Sequence, residues 1–181
     1  MSSKKLLRKK FSLIRKRKYY EVDESFFFPI IKIIKKKKFK NIAIYYSSNY
    51  EVSTLKLFKI LNNKTRYSTL LPVLAKGSMK FTKWNLYEPL KVNNFGFLDP
   101  INSKNYLKPD LIIVPLLAYD KFKNRLGYGK GYYDKTLTKY ISKNPNIITI
   151  GLAFSFQRYK KIPISKYDVK LNNIFTEKGF Y

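Results

Sequence analysis

Leu6, Leu7, Phe11, Leu13 and Ile14 recur at helical spacing through an otherwise basic stretch, which predicts an amphipathic helix over residues 3–18. An acidic break follows from Glu21 to Glu24, and a second helix is expected from Phe28 to Lys36, started or interrupted at Pro29. NIAIYYS (41–47) is short and apolar, as a buried strand requires. Ser47, Ser48 or Asn49 can cap the next helix, which Glu51 opens and whose apolar face is Val52, Leu55, Leu57, Phe58 and Leu61. RYSTLLP (66–72) and SMKFTKW (78–84) have strand character, and 85–109, with Pro89, Pro100 and Pro109, is expected to be mostly loop. DLIIVP (110–115) is a second buried strand stopped by Pro115, and a helix is expected over Tyr132–Lys143. NIITIGLAF (146–154) is a third buried strand, with a short one at Asn173–Thr176. No internal repeat interrupts this order. Alternating strands and helices predict one domain over residues 1–181 of class α/β, a three-layer α/β/α sandwich on a largely parallel, Rossmann-like sheet. Its active-site loops should lie at the carboxyl ends of the strands.

Composition narrows the chemistry. With 45% hydrophobic and 17% aromatic residues the chain can bury a core, so a disordered basic tail is excluded. There is no cysteine and no histidine, so thiol nucleophiles, disulfides and the commonest general base are all missing. Reactions must run on carboxylates, lysine, tyrosine, hydroxyls and backbone amides. The formal charge of +27 invites a nucleic-acid reading, but only six of the 38 basic residues are arginine: Arg8, Arg15, Arg17, Arg66, Arg125 and Arg158. Arginine is favoured for forked contacts to phosphates and bases, and the lysines here are spread along the chain. A solvated lysine surface is therefore expected, one that still attracts polyanions such as ATP. No run approaches the ~20 apolar residues of a membrane span, and the basic amino terminus lacks the apolar core of a secretory signal. It could pass for an organelle presequence, but an integral helix suits it equally, and the cytoplasm is the expected location.

The densest chemical signal is RLGYGKGYYD, Arg125 to Asp134. Gly127, Gly129 and Gly131 alternate with Tyr128 and Lys130 and lead into a helix. Glycines so spaced let backbone amides approach a ligand closely, and the helix turns its positive end to the same place. Arg125 and Lys130 add cations. A Walker loop is ruled out, because its first glycine would fall on Asn124 and Gly131 replaces its Ser or Thr. The spacing also fails the dinucleotide fingerprint. A flexible surface turn is the bland alternative; the strand before, the helix after and the nearby charges favour a phosphate site. Asp134 falls in the first helical turn, where it could reach a phosphate-bound Mg²⁺ or simply favour the helix dipole. Asp120 fits a turn-shaping role.

RLGYGKGYYD preceded by DLIIVPLLAYD resembles the 5-formyltetrahydrofolate cyclo-ligases (5,10-methenyltetrahydrofolate synthetases). KKLLRKKF, IAIYYSSNYEVST, LLP (70–72), NFGFLDP, GLAFSFQ and YDVKLNNIFTE resemble further segments of that family in the right order. The resemblance implies conversion of 5-formyltetrahydrofolate to 5,10-methenyltetrahydrofolate with ATP and Mg²⁺, giving ADP and phosphate. It implies that Lys4, Lys5, Leu6, Leu7 and Arg8 hold ATP together with Arg125, Leu126, Gly127, Tyr128, Gly129, Lys130, Gly131, Tyr132 and Tyr133. Lys130 and Arg125 would stabilise the transferring phosphoryl group. Asp134 and Asp168 would serve the metal. Tyr46, Glu51, Phe95 and Tyr133 would lie along the folate, with Glu51 recognising the pterin and Trp84 and Met79 as further pocket candidates. The chain departs from the family at Lys166-Tyr167-Asp168, where Glu-His-Asp is frequent, and at Phe97-Leu98-Asp99-Pro100, where Ile-x-Glu-Pro is usual. The expected partner is a small folate, polyglutamylated or not, with no membrane, no nucleic acid and a monomeric chain. The rival class is a lysine-rich nucleic-acid-binding module that stacks tyrosines on bases without catalysis.

Overall fold

The computed structural model describes residues 3–75, 78–93, 98–101 and 105–181. Helix α1, Lys4–Lys18, is capped by Ser3, whose hydroxyl accepts from the amide of Leu6, and it ends in four basic residues that suit its negative carboxyl end. A 3-10 turn, Ser25–Phe27, leads into α2, Phe28–Lys36, with Pro29 in the first turn, where its missing N–H costs nothing. Strand β1 is Asn41–Ala43, α3 is Leu55–Asn62, and β2 (Ser68–Ala75) folds back on β3 (Ser78–Lys83) as an antiparallel pair. β4 (Leu90–Val92) and β5 (Leu98–Pro100) form a small antiparallel ribbon, and β6 is Leu111–Pro115. A second ribbon pairs β7 (Ala118–Tyr119) with β8 (Arg125–Leu126) ahead of α4, Tyr132–Lys143. β9 (Ile148–Leu152), β10 (Asn173–Thr176) and β11 (Gly179–Phe180) complete the chain.

The main sheet has the order β11-β10-β9-β6-β1-β2-β3. From β10 to β2 its neighbours are parallel, and β11 and β3 close the edges antiparallel. Successive side chains alternate across it. Ile42, Leu71 and Ile113 pack with Ile30, Ile34, Leu57 and Phe58 of α2 and α3, while Ala43, Leu70 and Ile112 pack with Leu137 of α4. Strands covered on both faces read as continuous apolar runs, which is why β6 is buried at every position. Leu7 and Phe11 of α1 form a third cluster with Leu117, Ala118, Leu126 and Ile162. The chain runs from β1 to β2 on one side and from β6 to β9 and β10 on the other, so the strand order reverses beside β1, where this architecture opens a crevice. No helix among the described residues is long and apolar enough to cross a membrane.

Two expectations are corrected. The 41–47 strand ends at Ala43, and the following chain loops out through Asn49 and Tyr50, both at positive φ (49° and 61°). This loop is tied down from within, by Tyr45 Oη donating to Val52 O at 2.9 Å and Thr54 Oγ1 to Tyr45 O at 2.6 Å. Helix α3 therefore starts at Leu55 after Thr54. Glu51 does not open it, Ser47 to Asn49 do not cap it, and its buried face is Leu57, Phe58 and Leu61, with Leu55 exposed. The 85–109 segment is mostly loop among the described residues, as expected, and carries the short β4–β5 ribbon.

Candidate functional site

A cavity of about 980 Å³ opens where β1 and β6 end, between the glycine loop, α1, the loop after β1 and the β2–β3 pair. Its glycine-loop half is built on conformations only glycine adopts freely: Gly129 and Gly131 have φ of 102° and 69°. Gly131 is the N-cap of α4 and offers no side chain to it, so the first-turn amides keep their capacity for a ligand. The loop's two ends are clamped by Arg125 Nη2 and Asp134 Oδ1 at 2.9 Å, and Arg125 also lies 5.7 Å from the Tyr133 ring centroid. From α1, Arg8 Nε donates to Gly127 O at 2.9 Å, and its guanidinium carbon lies 3.0 Å from where a Cβ at Gly129 would stand. Lys4 forms an ion pair with Asp168, whose carboxylate also accepts from Ser165 N at 2.5 Å. Val169 N donates to Asp134 Oδ1 at 3.1 Å, so the carboxyl-terminal segment is fastened to α4 as well as to α1.

Helical periodicity sorts the expected nucleotide residues of α1. Lys4 and Arg8, one turn apart, line the cavity; Leu7 turns into the core, and Lys5 and Leu6 face outward. Along the loop, residues from Arg125 to Asp134 all line the cavity.

The other half centres on Glu51. Its Oε2 accepts from Ser48 N at 2.8 Å and its Oε1 from the hydroxyl of Tyr128. Tyr128 in turn accepts from Arg15 Nη1 at 2.8 Å, and Arg15 also donates to Asn49 O at 2.5 Å and Leu116 O at 3.3 Å. Arg15 is 1% exposed and Glu51 7%, so an ion-bearing cluster sits almost out of water. Burial pushes the Glu51 carboxyl above the usual range, against the hydrogen bonds from Tyr128 and Ser48 and the charge of Arg15, which pull it down. Burial also raises the Tyr45, Tyr128 and Tyr133 phenols, reinforced by the Glu51 charge, so all three remain protonated donors at neutral pH. At Asp168 burial acts upward but is outweighed by Lys4 and Ser165 N, leaving the carboxyl below its ordinary value.

Tyr46 and Met79 line the cavity, with Pro72, Val73 and Leu74 as an apolar wall. Trp84 does not line it. Its ring is buried against Phe58 and Tyr46, and its Nε1 donates to Glu88 O at 3.1 Å. Phe95 lies outside the described residues. Asp99, from β5, reaches the cavity as a buried acid whose pKa burial raises. Asp120 shapes its turn, accepting from Phe122 N, Asn124 N and Ile162 N at 2.9–3.1 Å. Among the described residues no group of three or more acidic side chains could hold a metal ion.

Arg15 and the contact of Tyr128 with Glu51 were not anticipated. A signal for Arg15 was present: it continues the Leu7–Phe11 stripe at the next four-residue step, so an arginine occupies the buried face of its helix.

Comparison with known proteins converges on one family. The model of the 5-formyltetrahydrofolate cyclo-ligase family matches residues 2–177. A 5-formyltetrahydrofolate cyclo-ligase of Haemophilus influenzae is 36% identical over 150 residues, 80% of this chain and 79% of that protein. The Escherichia coli K12 enzyme of the same name is 27% identical over 75% of this chain and 76% of its own. The NMR structure of Aquifex aeolicus 5,10-methenyltetrahydrofolate synthetase superposes with a TM-score of 0.76 at 27% identity, covering 98% of this chain and 91% of that one. A Mycoplasma pneumoniae 5,10-methenyltetrahydrofolate synthetase shares the fold, with a TM-score of 0.74 at 22% identity over 96% of this chain and 98% of its own.

Proposed function

The chain belongs to the 5-formyltetrahydrofolate cyclo-ligase family and is such an enzyme, and from that premise we propose that it closes the folate ring at the expense of ATP, with Mg²⁺. The observation that carries this reading is the meeting, in one cavity, of a cation-rimmed glycine loop and a buried carboxylate. Phosphate would lie on the loop amides and the amino end of α4, with Lys4, Arg8 and Lys130 around it. The pterin would present its N–H donors to Glu51, and Tyr46 and the Pro72–Leu74 wall would cover its ring.

The 5-formyl oxygen is a poor leaving group. Transfer of the γ-phosphoryl group to it makes the formyl carbon electrophilic; N10 attacks that carbon and loses its proton, and the C–O bond breaks to release phosphate. Such a reaction needs positioning and charge neutralisation more than a protein nucleophile, which suits a chain without histidine or cysteine. Lys130 stabilises charge on the transferring group. Arg125, held by Asp134 and stacked near Tyr133, keeps the loop in shape and adds fixed positive charge beneath it.

The carboxylates fit Mg²⁺ in the manner of nucleotide enzymes, where one or two protein carboxylates suffice because phosphates and water complete the shell. Asp134 and Asp168 both line the cavity and would hold it; the metal supplies neutralisation of phosphate charge. The tail of a polyglutamylated folate is polyanionic, and the lysine surface would attract it. Mixing 5-formyltetrahydrofolate with Mg-ATP and following methenyltetrahydrofolate absorbance tests the proposal. A folded sample that binds ATP and makes no product would overturn it.

A further inference from the structure

We propose that Tyr128 is a positioning residue through which the nucleotide loop controls the folate carboxylate, a step that rests on the reading of the cavity given above. Tyr128 stands between Gly127 and Gly129, inside the segment that would receive phosphate. The residue is 39% exposed, yet its hydroxyl donates to the buried Glu51 Oε1. With Ser48 N on Oε2, both oxygens of Glu51 are engaged by the protein itself. A carboxylate oxygen can accept two hydrogen bonds, so a pterin edge that donates to Oε1 along the line Tyr128 occupies competes to displace that hydroxyl.

The loop is set to permit that displacement. Arg8 holds it on both sides of Tyr128, by its bond to Gly127 O at 2.9 Å and its close approach to Gly129. Arg8 is also a cation on the cavity wall, so an incoming phosphate that binds its Nη groups can draw the guanidinium away from Gly127 O. Gly129 and Gly131, both at positive φ, let the segment rearrange without side-chain clashes. The hydroxyl oxygen stays held as an acceptor: Arg15 donates to it from Nη1 at 2.8 Å and is anchored independently to Asn49 O and Leu116 O, while the hydroxyl proton released from Glu51 passes to an acceptor on the ligand or in water. Arg15 also lies 5.5 Å from the centroid of the Tyr128 ring, so the pair keeps its contact while the hydroxyl leaves Glu51. Nucleotide binding would then free Glu51 for the folate, and reciprocity requires that folate tighten nucleotide binding by the same factor.

The test is equilibrium binding of 5-formyltetrahydrofolate, with and without a saturating non-hydrolysable ATP analogue plus Mg²⁺, to the wild type and to Tyr128→Phe. Phenylalanine keeps the ring packing and removes only the hydroxyl. In the wild type the analogue is expected to tighten folate binding about tenfold, within the ordinary range of coupling. In Tyr128→Phe the folate should bind more tightly than to wild type when the analogue is absent, and the coupling should fall below about twofold. Equal coupling factors in the two proteins, or no coupling in the wild type, overturn this proposal and leave the ligase reading standing. A wild type that binds neither ligand overturns both.

Discussion

Arg125 and Asp134 bracket the glycine loop and close it on itself, Nη2 to Oδ1 at 2.9 Å, with the arginine side chain only 5% exposed. The guanidinium at the start of the loop and the carboxylate at its end are thus paired with each other. Lys130, between them in sequence, is exposed and lines the cavity.

Removing Asp134 should therefore cost stability as well as activity. Asp134→Ala strands a buried guanidinium, and a loss of about 3 kcal/mol is expected in denaturant unfolding. Asp134→Asn keeps an acceptor, so its loss should be nearer 1 kcal/mol, while the Mg²⁺ needed for half-maximal turnover rises. Unfolding curves that coincide for all three proteins would show that the clamp contributes nothing.

Lys130→Ala should separate chemistry from folding. Turnover is expected to fall about 100-fold or more through lost stabilisation of the transferring phosphoryl group. An exposed lysine should change stability by no more than about 0.5 kcal/mol. Wild-type kcat in this variant would remove Lys130 from the mechanism.

Glu51 gives a signed pH effect. Burial holds its carboxyl above the ordinary value, so the folded state binds this proton more tightly than the unfolded chain does. Its contribution to stability is present in acid and is lost as pH rises through the raised folded value. Glu51→Gln should consequently melt at a higher temperature than wild type at pH 8, with the difference closing as pH falls, while kcat/KM for the folate collapses. A variant less stable than wild type at pH 8 would mean that Arg15, Tyr128 and Ser48 outweigh the burial.

The Lys4–Asp168 pair has the opposite sign. The Asp168 carboxyl is held below its ordinary value, so its contribution exists above the usual aspartate range and fades as pH falls through the lowered one. Lys4→Ala should remove that pH dependence and raise KM for ATP about tenfold, the loss of one charge-assisted contact. An unchanged KM would leave Lys4 with only the task of docking α1.

Much of this was legible in the chain. The short apolar runs around Leu111–Pro115 and Ile148–Leu152 read as buried strands and are strands, and the ordered motifs from Lys4 to Glu177 identify the family. The stretch after Ala43 misled because cavity wall and sheet core demand the same residues: Tyr45 is as buried as Ile42, but it lines the site beyond the end of the strand. Arg15 was hidden among the basic residues of a lysine-rich helix, and only its place on the Leu7–Phe11 stripe distinguishes it from Arg17, which is exposed two residues later. Tyr128 was visible as a loop residue, but its partner Glu51 is 77 residues away, a pairing that no local pattern encodes. The charge of +27 pointed toward nucleic acid, and the family match carries the enzyme reading over it.

The central claim is that one cavity couples ATP to folate ring closure. The most direct measurement follows methenyltetrahydrofolate absorbance and ADP in the same reaction, with ATP and Mg²⁺ each supplied or withheld. The account predicts product only when both are present, with one ADP formed for each methenyltetrahydrofolate. Product formed at the same rate without ATP, or ADP released with no ring closure by a folded protein that binds the folate, would contradict it.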